Sequence, residues 1–139
     1  MYVCFKHNGK MLDIQKQIDY WVKGAEEDIL TAHLLIREKR TLPGLFFCYL
    51  TIEKVIKAHV VMKIGNEPPQ NQNLTDLSET AELEFDDSTR LFLGILMKFQ
   101  LQGQHPGYDP IIPEQPKVIV YFNETKDLLQ KLKMKLVRS

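Results

Sequence analysis

Between Leu12 and Arg40 the apolar residues Ile14, Ile18, Trp21, Ala25, Ile29, Ala32 and Ile36 recur at steps of three and four. That spacing gathers them on one stripe of an amphipathic helix. At about 1.5 Å per residue the helix would run roughly 40 Å, more than a chain of this size covers by itself, so part of its face is expected to meet a second copy. In Thr41-Leu42-Pro43-Gly44, Pro43 cannot continue this helix but is tolerated in the first turn of the next. The second helix, about Gly44 to Ile64, is apolar nearly all round: Phe46, Leu50, Val60, Val61 and Ile64 on one side, Tyr49, Ile52 and Ile56 beside them, Val55 opposite. A helix of that kind belongs at the centre of a bundle. Gly65 is placed to stop it, and residues 66–73 (NEPPQNQN) read as a loop.

A short third helix, roughly Leu74 to Leu83, turns Leu74, Leu77 and Ala81 inward, with Asp76 and Glu79 near its positive end. Asp86-Asp87-Ser88 supply capping side chains for a fourth helix whose inward residues would be Leu91, Phe92, Ile95, Leu96 and Phe99. Residues 102–116 hold four of the seven prolines and two glycines, a long irregular connection of the kind that often carries function. Val118, Phe122, Thr125, Leu129, Leu132 and Leu136 then mark a last helix. The run VIVYF alone would pass for a strand, but the helical period continues well beyond it. The pattern is therefore all-α: four long helices and one short one.

Composition adds bounds. The chain has 139 residues, 44% hydrophobic and 26% charged, with a formal net charge of zero, values that fit one globular domain over 1–139 and exclude collagen-like or disordered chains. The longest apolar run, Leu91 to Met97, is about a third of the roughly 20 residues a membrane helix needs. MYVCFKHNGK has no apolar signal-peptide core, so a cytoplasmic protein without membrane contact is expected. This ten-residue start reads as an arm whose order the pattern does not fix. Cys4 and Cys48 could form at most one bridge, and Cys48, inside LFFCYL, reads as a small buried thiol of a reducing compartment. The zero total hides a dipole: residues 66–90 carry seven acidic groups against one basic, and residues 117–139 six basic against two acidic. Solvated helix faces are the plainer reading of this, and a basic strip for phosphates or an acidic partner the sharper one.

Projected at about 100° per residue, Glu53 and Lys57 fall within the stripe made by Phe46, Leu50, Val60 and Ile64. A Glu four residues before a Lys is a favourable helical pair, but burying it must offset a desolvation cost of several kcal/mol per ion. Such a pair is either a structural ion pair, fixing register in a helical assembly, or the lining of a cleft in which Lys57 meets an anion and Glu53 orients it, with Lys54 widening the basic spot. His105 lies in the long loop, in GQHPGYDP, where it is either idle or functional. The four histidines form no pair at metal-ligand spacing, and neither GxxxxGK[ST] nor GxGxxG occurs, so neither a metal nor a cofactor is expected.

Five segments taken in order, Trp21 with AEEDILTA (Ala25 to Ala32), LFFCYLTIEKVIKAHVV (Leu45 to Val61), PPQNQNLTDL (Pro68 to Leu77), FQLQGQHPGYDP (Phe99 to Pro110) and the closing helix, resemble the HEPN superfamily. The likeness spans about Ile14 to Leu136. Its most specific piece, IEKVIKA, looks like the second-helix pattern E-K-x-x-K-A and contains Glu53 and Lys57. The resemblance implies an up-and-down bundle that dimerises, works beside a nucleotidyltransferase-like protein or binds a nucleotide or RNA, and in some branches is a metal-independent ribonuclease.

The chain departs from the family where function is usually read. Gln72 stands where many members have the histidine of a T-H-D/N-L-like motif, and Gln104-His105-Pro106 where many have R-Y-P. Ribonuclease branches place a histidine four to six residues after an arginine; here Arg90 precedes His105 by fifteen, and no histidine follows Arg37 or Arg40 at that distance. Losing that spacing removes the pairing of phosphate-charge stabilisation with proton transfer. The expectation is a non-catalytic homodimeric binding module with a cleft formed by Glu53, Lys54, Lys57, Gln72, Gln104 and His105. The alternative is a divergent ribonuclease toxin of a toxin–antitoxin pair, using His105 with Arg90.

Overall fold

In a computed structural model, which describes residues 4–7, 10–101 and 111–137, the element order is β1 (Cys4–His7), β2 (Lys10–Asp13), α1 (Ile14–Arg37), α2 (Thr41–Ile64), α3 (Leu74–Thr80), α4 (Asp87–Met97), a turn of 3-10 helix (Lys98–Leu101) and α5 (Gln115–Val137). Each helix starts where its sequence offers a cap or a tolerated proline. The carboxylate of Asp13 accepts from the Lys16 N–H, the side-chain oxygen of Asn73 from the Asp76 N–H, and the carboxylate of Asp86 from the Thr89 N–H, which satisfies donors that a helix start leaves orphaned. Pro43 and Pro116 sit in the first turns of α2 and α5, where a missing N–H costs nothing. Gly65 ends α2 in the left-handed conformation, φ 68°, its N–H bonding to the Val61 carbonyl.

A short corner at residues 38–40 makes α1 and α2 antiparallel. Gly44 is required there, because a Cβ at that position would come within 2.6 Å of Ile36 Cγ1. Pairs between α1 and α5 (Glu26 with Lys133, His33 with Phe122) and between α4 and α5 (Phe92 with Tyr121) continue the alternation. The chain runs up in α1, down in α2, up in α4 and down in α5, an up-and-down bundle with short α3 as a flank.

Helix α2 is its axis. Leu45, Cys48, Ile52, Val55, Ile56 and Val60 are buried among Ala25, Ala32 and Ile36 of α1, Leu74 and Leu77 of α3, Phe92, Leu93 and Leu96 of α4, and Val118, Leu129 and Leu132 of α5. A second cluster at the open end of the α1–α2 pair joins Ile14 and Ile18 to Ala58 and Val61, with Trp21 and Leu136 packed at its edge. VIVYF is helical throughout.

Three expectations change. Leu12 belongs to β2 rather than to the first helix, because the segment before it pairs as an antiparallel hairpin with Cys4 opposite Asp13 and His7 opposite Lys10. The expected arm of ten residues is thus a strand over Cys4–His7 and at Lys10. Leu91, expected inward, is 71% exposed, and Leu93 takes its place in the core; α4 is rotated so that Phe92, Leu93 and Leu96 meet α2. Ile64, the last residue of α2, is exposed as well.

Candidate functional site between helices α1 and α2

The polar side chains of α2 lie where α1 crosses its middle. Glu53 is 6% exposed. Its Oε2 lies 3.6 Å from Lys57 Nζ one turn on, and the Tyr49 hydroxyl stands 3.1 Å from the same oxygen. The single proton of that hydroxyl is shared between this carboxylate and the nearer Gln72 carbonyl at 2.5 Å, tying the loop before α3 to the centre of α2. Burial first, then the charge of Glu53 and the bond to it, push the Tyr49 phenol well above its ordinary range, so it stays a neutral donor. Lys57, its side chain 13% exposed, lies 5.1 Å from the centre of the Trp21 ring, a cation–π contact from α1 that partly replaces lost hydration.

Lys54 points the other way round α2. Its ammonium is 2.7 Å from Asp28 of α1, and its stem crosses α1 at Gly24, where an added Cβ would stand 3.0 Å from Lys54 Cδ. The absent side chain at Gly24 gives that arm its passage. Beside it lies a shallow groove of about 400 Å³, lined by Tyr20, Trp21, Lys23, Gly24, Glu27, Asp28 and Lys54. The Tyr20 ring is exposed and meets Trp21 edge to face at 5.1 Å.

Of the residues singled out by sequence, Glu53, Lys54 and Lys57 are brought together with α1. Gln72 joins through its backbone carbonyl, while its side chain is exposed. Gln104 and His105 lie outside the described residues. Arg90 is exposed near the start of α4 and paired with Asp87, whereas the Gln72 loop reaches α4 at its far end, through the Leu74 N–H on Met97 Sδ. The structure does not bring Arg90 to the cluster; about two helical turns of α4 separate them. Two other histidines are otherwise engaged: His33 stacks on Phe122, and His59 bonds to the Leu132 carbonyl.

Sequence reasoning missed Asp28, Tyr49, Gly24 and Tyr20. Asp28 carried a signal, a charge on the apolar stripe of α1 between Ala25 and Ala32, found by the same projection that picked out Glu53. Among the described residues no three His, Cys, Asp or Glu side chains assemble as a metal cradle, and no helix is long and apolar enough to cross a membrane.

A family model, the HEPN domain, matches residues 18–134, from the first core turns of α1 to the last turns of α5. The chain belongs to the HEPN family. No curated protein and no solved structure gives a match. Within this HEPN bundle the match takes in Trp21, Asp28, Glu53, Lys54 and Lys57 and leaves the hairpin outside.

Proposed function

We propose that this HEPN protein is a homodimeric binding module that engages an anionic ligand, the phosphates of a nucleotide or RNA or an acidic face of a nucleotidyltransferase-like protein, without catalysis of its own. The observation that carries this reading is the Lys54 ammonium, held 2.7 Å from Asp28 at the lip of the α1–α2 groove. A cation already fixed there can admit a phosphate oxygen without first losing the freedom of a mobile side chain. The exposed Tyr20 ring offers a face for a base. Lys57, more deeply buried, acts behind it by holding the Trp21 ring that lines the groove, and Glu53 pairs with Lys57. The loss of the arginine-to-histidine spacing in the sequence favours binding over phosphodiester cleavage.

Trp21 is the sole tryptophan and lines the groove, so its emission reports occupancy directly. Titration with ATP, and separately with a short single-stranded RNA, is expected to change that emission to saturation, and Lys54→Ala to weaken the response about tenfold, near 1.4 kcal/mol, with an unchanged far-UV spectrum. Emission that stays flat with both ligands, together with no nucleotidyltransferase-like protein co-purifying from the native cells, would overturn the reading.

A further inference from the structure

On the outer side of α1, one helical turn apart, Leu30 and Leu34 are 69% and 50% exposed. They border the seam in which His33 of α1 stacks on Phe122 of α5, ring centres 5.4 Å apart. Three residues before Phe122 on α5, Ile119 is also exposed. Exposed aliphatic side chains thus stand close in sequence to both partners of that stack.

The charges flanking this face have a particular order. Glu27 stands three residues before Leu30 and Arg37 three residues after Leu34, and both are exposed. The ion pair of Arg37 to its own neighbour Glu38 is a loose 3.9 Å. The sequence of α1 around position 32 therefore runs acid, leucine, leucine, base, with equal spacing on either side. A segment so arranged is complementary to itself when turned end for end.

We propose that this face is where two copies of the chain meet, α1 lying antiparallel on α1 about a two-fold axis near position 32. Leu30 of one copy then packs on Leu34 of the other, and Glu27 of one reaches Arg37 of the other, each contact occurring twice as an isologous interface requires. A stable homodimer buries about 800 Å² per partner, more than two crossing helices supply, and the α5 side of the seam with Ile119 adds to that area. The proposal rests on the homodimeric reading above and specifies its surface.

Sedimentation of the full chain tests it. The wild type is expected to be dimeric at micromolar concentration, and the double variant Leu30→Glu, Leu34→Glu to be monomeric with its helical spectrum intact. Glu27→Arg and Arg37→Glu are each expected to raise the dimer Kd about tenfold, and the two together to restore it. That rescue is a readout that general surface damage would not give. If the wild type is dimeric and these variants leave its Kd unchanged, the second copy sits elsewhere and only this surface is lost. A wild type that stays monomeric up to about 100 μM, where even weak dimers form, overturns both the surface and the homodimer.

Discussion

Glu53 and Lys57 show how one residue can be buried at tolerable cost. A lone carboxylate on the inner side of α2 would lose several kcal/mol of hydration. Here it has an ammonium at 3.6 Å and a phenol hydroxyl at 3.1 Å, and the ammonium has an aromatic face. Removing one partner leaves the other uncompensated, whereas removing both removes the problem. Lys57→Ala is therefore expected to destabilise the protein by about 3 kcal/mol, while Glu53→Leu with Lys57→Leu stays within roughly 1 kcal/mol of wild type. Urea denaturation of the full chain measures both. A double variant as unstable as the single one would mean that the pair contributes packing that leucines cannot reproduce, and that its polarity is not the source of the cost.

At the scale of elements, the helices that the sequence declares best are those with one wet and one dry face. The stripe of α1 is legible because its outer side is charged, and that of α5 because Thr125, Leu129 and Leu132 keep period where VIVYF loses it. Helix α2 gives away its central place by being apolar all round, but for that very reason it hides which side meets which neighbour, and with it the partner of His59. The hairpin was illegible because Cys4–His7 and Lys10–Asp13 show no clean alternation, and the rotation of α4 because both Leu91 and Leu93 are apolar and only tertiary contact chooses between them. The site was half legible, since a charge on an apolar stripe can be seen but its partner on another helix cannot. His59 supplies the prediction at this scale. Its ring Nε2–H donates to the Leu132 carbonyl at 2.8 Å, docking α5 on α2. Burial, with a smaller push from the charge of Lys135, lowers its pKa below the ordinary 6.5 despite the opposing bond to Leu132. The unfolded chain therefore takes up a proton that the folded one refuses. Stability from this group is fully present above about pH 6.5 and is lost as pH falls from there towards the folded value, at no more than about 1.4 kcal/mol per pH unit. Urea midpoints across that range are expected to slope in the wild type and to flatten in His59→Gln, whose amide can keep the bond to Leu132. Equal slopes in both would place the proton uptake on other groups.

For the whole molecule the question is whether the bundle opens piecewise or at once. Helix α5 is joined to the rest by a long connection, and a helix so tethered could fray from α2 on its own. Its packing argues otherwise: Val118, Leu128, Leu129 and Leu132 are buried from one end of α5 to the other, and they share one continuous core with α1 to α4. Cys48 lies at the heart of that contact, wholly buried on α2, next to Thr125 of α5, whose hydroxyl donates to the Tyr121 carbonyl. Burial pushes its thiol up to about 12, against a smaller lowering by Thr125, so at pH 8 the folded protein keeps this thiol protonated as well as shielded. Alkylation must wait for an opening that parts α2 from α5. In a Cys4→Ser background, which leaves Cys48 as the single thiol, modification is expected to be slow in buffer and to accelerate with urea along the same slope as global unfolding. Rapid labelling in buffer, independent of urea, would show α5 leaving the bundle by local motion, and the HEPN core would then be α1 to α4 with a detachable fifth helix.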